Sequence, residues 1–324
     1  MNSVMTKQFY KQRSDFEKSC VTRDEKLTFP DGVDFSENIA YADDNKKAHR
    51  MDIFRPQNAK DTMLPVIINV HGGGLLLGNK EFNRYFCALL CKKGFLVYSI
   101  EYRLVPDCMI FDQLRDVFAA MDFIKKRVKP DGGDLSHVYM VGDSGGACLI
   151  TYANAIQNSY KIAKAAGVKP SDLHVSALGL ISGMFYTTKF DKIGLFLPKF
   201  LYGKNYKKTP FSKYVNPENK ELVNSLAPAW LVTSHNDLLM CDKEAIEVQK
   251  ILPFLSDTWP LCRIGRAVIR ASQSCRQSCN KSQCPACGCR SHHSCTHAPQ
   301  FSRSFPAREW GSVLQRQGAC GQCP

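Results

Sequence analysis

A serine held between glycines, Gly142-Asp143-Ser144-Gly145-Gly146, is the stretch of this sequence best suited to chemistry. A serine hydroxyl becomes a useful nucleophile only when a base takes its proton. The carbonyl that it attacks needs N–H donors aimed at the oxygen where negative charge develops. The apolar run Val138-Tyr139-Met140-Val141 precedes the pentapeptide and the helix-forming run Ala147 to Ile156 follows it. Strand, sharp turn and helix would expose Ser144 at the carboxyl end of the strand, facing helix amides. The donors are sought upstream. Leu64-Pro65-Val66-Ile67-Ile68-Asn69-Val70 is a short β-branched run, expected as a buried parallel strand, and it runs into His71-Gly72-Gly73-Gly74. Alone, three glycines make a flexible turn. Paired with the downstream pentapeptide they are expected to form an oxyanion loop.

The order and spacing of His71-Gly72-Gly73-Gly74, Glu101-Tyr102-Arg103-Leu104-Val105-Pro106 and Gly142-Asp143-Ser144-Gly145-Gly146 resemble the hormone-sensitive-lipase-like esterases of the α/β-hydrolase fold. Trypsin-like proteases share Gly-Asp-Ser-Gly-Gly, but between strands of a β-barrel. Here a helical pattern follows and strands alternate with helices, so that alternative is set aside. The resemblance runs from about Ile39 to about Lys250. It implies a mostly parallel sheet flanked by helices, with a lid. It also implies Ser144 as nucleophile and the Gly72, Gly73 and Gly145 N–H groups as oxyanion donors. The triad acid is expected just past a late strand, in an Asp-x-Leu context. Asp237 matches and Asp242 is the competitor. Arg103 and Asp107 are read as scaffold.

These residues need elements to position them. Residues 1–34 form an N-terminal segment with Phe9, Tyr10 and Phe16 at helical spacing: a cap over the site by resemblance, a frayed terminal helix on sequence alone. The core is expected over 35–251. Phe35 to Ala42 and Ala48 to Pro56 form a hairpin, with strands at Leu64, Phe95 to Ile100, His174 to Ile181 and Ala227 to Ser234. Helices are expected over Asn79 to Lys93, Ile110 to Arg127 and Ser144 to about Lys164. Residues 182–227, rich in aromatics and lysines, read as the lid insertion.

The composition changes abruptly near residue 252. Residues 1–251 hold 34 Lys+Arg and 28 Asp+Glu; residues 252–324 hold 9 and 2, with nine of the 15 cysteines. A net charge of +13 split in this way does not argue for nucleic acid as a partner. The fold order Ser, acid, His places the base about thirty residues past the acid. The window 262–275 contains no histidine, and only His292, His293 and His297 follow. Three readings of 252–324 compete. It is an out-of-frame or rearranged end lacking the last strand and helix. It is a zinc-binding appendix using Cys284, Cys287, Cys289 and Cys295. Or it is a disulfide-stapled tail. The first reading makes the tail disordered and the Trp230 strand a bare apolar edge, prone to aggregation.

The expectation is therefore a serine hydrolase of carboxylic esters with short to medium acyl chains, impaired if the base is missing. The alternatives are a catalytically silent small-molecule binder on the same fold, or a hydrolase core with a zinc-binding tail. No cofactor is required. The expected partner is a small ester, with no membrane span and, lacking an apolar leader, a cytoplasmic location. Oligomeric state is not legible.

Overall fold

The computed structural model describes residues 3–59, 63–188, 192–215 and 217–233. The chain divides into two units, Met1–Pro253 and Phe254–Pro324, and every described residue belongs to the first. Its frame is a seven-stranded sheet, in which β1 (Val33–Ala40) and β2 (Arg50–Pro56) form an antiparallel hairpin. β3 (Leu64–Val70), β4 (Leu96–Ile100), β5 (Gly133–Asp143), β6 (Ala177–Ile181) and β7 (Ala229–Val232) run parallel in the order β4-β3-β5-β6-β7. The hairpin joins at β4 through β2. The parallel strands are apolar on both faces because helices cover both: β4 is buried at all five residues and β3 at six of seven.

Parallel pairing of β3 with β5 creates the site. Val70 lies opposite Gly142, so both strands end at one edge and their following loops emerge side by side. Ligands in open α/β sheets bind at such carboxyl ends. α2 (Arg84–Cys91) and α3 (Ile110–Arg127) pack on the sheet, and α3 has the limits its periodicity predicts. Lys125, Lys126 and Arg127 in its last turn complement the helix dipole.

The helix expected over Ser144 to Lys164 is instead two. α4 (Gly145–Asn158) is buried from Gly145 to Ile156, and α5 (Tyr160–Ala166) starts afresh. Ser159 sits between them at φ −135°, ψ 112°, and its hydroxyl accepts from Ile162 N at 3.4 Å. A serine that caps a new helix competes with continuation of the old one.

α1 (Ser3–Asp24) is helical as its spacing predicts. It is tied down: Arg13 donates to Leu76 O at 3.1 Å and Val105 O at 3.0 Å, and pairs with Asp107 at 3.0 Å. Phe16 packs on Phe82 and Phe9 on Phe200. In the excursion after β6, α6 (Lys192–Tyr202) and α7 (Lys220–Asn224) flank two 3₁₀ turns. Phe211 is its anchor, with ring centroids 5.1 Å from Phe111 and 5.4 Å from Tyr152. β7 is the last strand of the described sheet, as expected for the Trp230 strand, while the Trp230 side chain itself is buried at 8% exposure.

Candidate active site

Ser144 stands at φ 50°, ψ −115°, a conformation that a non-glycine residue adopts only when its surroundings impose it. They do so from both sides. Its N–H donates to Ile181 O at 2.8 Å, and its carbonyl accepts from Met184 N at 3.0 Å and Cys148 N at 3.2 Å. The side chain does not cap α4, which leaves Oγ for other work. The flanking glycines are steric necessities. A Cβ on Gly146 would lie 2.1 Å from Val70 O, and one on Gly142 would lie 2.6 Å from Gly146 C. The elbow can turn only because these atoms are absent.

The glycine loop lies against the elbow. Gly73 and Gly74 take φ 111° and 63°, and Leu75 follows at φ 67° although it is bulky and fully buried. That strained leucine is held by its carbonyl, which accepts from Val105 N and Gln113 Nε2, each at 3.0 Å. The Val105 bond links the Tyr102-to-Pro106 stretch to the loop. A Cβ on Gly145 would lie 2.7 Å from Leu75 N and 3.0 Å from Gly74 N. Gly145 N–H is the first amide of α4 and has no carbonyl within the helix to donate to. Among the described residues, the Gly73 and Gly74 N–H groups also have no acceptor.

Gly72 requires a correction. Its N–H, expected to face an oxyanion, donates to Asp143 Oδ1 at 3.0 Å. Gly72 is a glycine because that carboxylate occupies its side-chain space: a Cβ would lie 2.1 Å from Asp143 Oδ2. Asp143 also accepts from Asn83 Nδ2 at 2.8 Å. Burial pushes its carboxyl above the ordinary range, against the Asn83 hydrogen bond and the nearby His71, which pull it down.

His71 is a brace, not a base for Ser144. Its ring is fully buried and stacked on Tyr102 at 4.4 Å, and Tyr102 Oη donates to His71 O at 2.8 Å. Nδ1 faces Gly72 O at 2.8 Å and Nε2 faces Glu101 Oε1 at 2.9 Å. Burial alone would lower its pKa, but the Glu101 carboxylate outweighs burial and raises it. Arg103 and Asp107 are scaffold: Arg103 grips Asp116 at 2.7 Å, and Asp107 receives Arg13 and Tyr10 Oη.

A small apolar crevice of about 10 Å³ lies beside α4, lined by Cys148, Thr151, Tyr152, Phe185, Pro217 and Leu222. Burial pushes the Cys148 thiol up to about 12, so this cysteine is an apolar wall there.

Asp237, its competitor Asp242, His292, His293, His297 and the cysteines Cys284, Cys287, Cys289 and Cys295 lie outside the described residues. Among the described residues no histidine is hydrogen-bonded to Ser144, no cluster of His, Cys, Asp and Glu could hold a metal, and no helix is long and apolar enough to cross a membrane. Sequence reasoning missed Gly74, Asn83 and Asp143 as parts of this site. Asp143 could have been suspected from its place inside the pentapeptide. Asn83 gave no signal beyond a helical pattern.

A strained serine turn beside a glycine loop, at the carboxyl edge of this sheet, is the architecture of the α/β-hydrolase fold. The BD-FAE family model matches residues 51–240, more than half of the 324, and the chain belongs to that family. Isoprenylcysteine alpha-carbonyl methylesterase ICME of Arabidopsis thaliana is 26% identical over 168 residues, 51% of this chain and 38% of that protein. Lipase 2 of Moraxella sp. (strain TA144) is 31% identical over 114 residues, 34% of this chain and 26% of that protein. The chain thus spans under two fifths of these relatives' lengths. Esterase B from Lactobacillus rhamnosis, solved with a tributyrin phosphonate inhibitor, has TM-score 0.71 at 20% identity, covering 86% of this chain and 98% of that one. Bacterial heroin esterase gives 0.55 at 23%, covering 75% and 78%. These likenesses are of fold.

Proposed function

We propose that this chain is a serine hydrolase that cleaves carboxylic esters of short to medium acyl chain through an acyl-enzyme. Ser144 is the nucleophile, and Gly73, Gly74 and Gly145 N–H are the oxyanion donors. One observation carries the proposal: the bare Cα of Gly145 lets the amides of Gly74 and Leu75 come to within about a Cβ contact of the elbow. Amides converging beside a strained serine are what a tetrahedral intermediate needs, because they stabilise charge that appears only in the transition state. Asp237 is assigned to orient the imidazole that takes the Ser144 proton and to stabilise its charged form.

Two observations support the short acyl chain. The crevice at Cys148, one helical turn beyond Ser144 on α4, is small and apolar. Versiconal hemiacetal acetate esterase of Dothistroma septosporum, named for an acetate ester, is 27% identical over 125 residues, 38% of each chain.

The test is labelling by a fluorophosphonate probe, together with turnover of p-nitrophenyl acetate and longer esters. Labelling and turnover should both vanish in Ser144→Ala. A wild-type chain that takes no label and turns over no ester would overturn the proposal in favour of a silent binder on this fold.

A further inference from the structure

The single 3₁₀ turn Lys80–Asn83 reaches both ends of the glycine loop's first peptide. In a 3₁₀ helix residues i and i+3 eclipse, so Lys80 and Asn83 present groups to the same side. Lys80 N–H donates to Glu101 Oε2 at 3.0 Å, and the other oxygen of Glu101 holds His71. Asn83 Nδ2 donates to Asp143 Oδ1 at 2.8 Å, and that same oxygen takes the Gly72 N–H. Two carboxylates, each gripped from this turn, thus fix His71 and Gly72.

The turn is itself anchored. Asn79 caps it by accepting from Phe82 N at 3.1 Å, and buried Lys80 pairs with fully buried Asp52 of β2 at 2.9 Å. Asn83 is buried, with its second contact at Asn69 Oδ1, 3.4 Å away on β3.

We propose that Asn83 is a positioning residue for the oxyanion loop. By holding the Asp143 carboxylate, it sets the direction of the Gly72 peptide and hence of the Gly73 and Gly74 amides that follow. Asn83 touches neither the serine nor an ester; it acts through Asp143. The inference rests on the hydrolase proposal for its kinetic consequence but not for its structural one. The charge argument agrees with the geometry. The Asn83 amide favours the ionised carboxylate against burial, so its loss moves the Asp143 titration upward.

The experiment compares the full chain with Asn83→Leu and Asn83→Asp, using p-nitrophenyl acetate kinetics, fluorophosphonate labelling rate and hydrogen exchange across residues 71–75. Asn83→Leu should exchange faster at Gly72 and lose about tenfold in kcat with KM nearly unchanged, as expected for amides displaced from the transition state. The acid limb of its kcat profile should move to higher pH. Asn83→Asp sets a second carboxyl against Asp143, should move that limb further, and covers the case in which the leucine variant does not fold. Unchanged exchange at Gly72 with an unmoved pH profile in a folded variant would overturn the inference. A wild-type chain that takes no label, with exchange at Gly72 still faster in the variant, would overturn the hydrolase proposal and support the clamp.

Discussion

His71 Nε2 lies 2.9 Å from Glu101 Oε1, in a pair of side chains only 0% and 6% exposed. The other ring nitrogen faces the Gly72 carbonyl, so both nitrogens face acceptors and the charged imidazolium satisfies both. Its pKa is raised above the ordinary value of about 6.5. The stability it contributes is therefore complete below that pH and is lost as pH rises through the raised folded value. Glu101→Gln should remove this slope and destabilise the fold by about 3 kcal/mol, because the ring loses its buried counter-charge. Thermal melts of both proteins across pH 5 to 9, about the range in which imidazoles titrate, check this. Parallel pH–Tm curves would show that His71 is neutral in the folded state.

Ser144 is held at φ 50°, where glycine costs nothing. Ser144→Gly should therefore be more stable than Ser144→Ala by about 1 kcal/mol, although neither can form an acyl-enzyme. Chemical denaturation of the two variants measures the difference directly. Equal stabilities would mean that the elbow stores no strain.

Gly146→Ala is expected to fail more severely than its size suggests. The added carbon would sit 2.1 Å from Val70 O and 2.6 Å from His71 O, both backbone atoms at the end of a central strand. No rotamer change relieves that contact, so helix and strand must separate, at about 3 kcal/mol or more. Yield of soluble protein and Tm test it. A variant with wild-type melting would mean that the close approach of α4 to β3 is not obligatory.

Cys148 lies one helical turn beyond Ser144 and lines the crevice. Cys148→Phe should fill it and shift chain-length preference toward acetate, lowering kcat/KM for hexanoate by about tenfold or more while the acetate ester is less affected. A chain-length series on p-nitrophenyl esters reads this out. An unchanged profile would place the acyl chain elsewhere.

Much of this architecture is legible in the order of residues. The limits of α3, the hairpin of β1 and β2, and the strands ending at Val70 and Asp143 follow from apolar runs and their punctuation. The break at Ser159 is not legible, because Ala and Ile continue the helical pattern on both sides and only the serine's local cap interrupts it.

What the sequence by itself determined was the type and order of the reacting groups: a serine in a glycine elbow, a triple glycine after a strand, and the family to which they belong. Glycine spacing is readable because backbone clashes are local and leave no substitute residue. What only the tertiary structure decided is which amides are free. Gly72, Gly73 and Gly74 are alike in sequence, yet the Gly72 N–H is taken by Asp143, 71 residues later in the chain. Parallel pairing of β3 with β5 creates that contact, and the Asn83 side chain secures it. Hydrogen bonds between residues so distant in sequence leave no periodicity behind, so which of three identical glycines has its amide occupied could be read only from the folded chain.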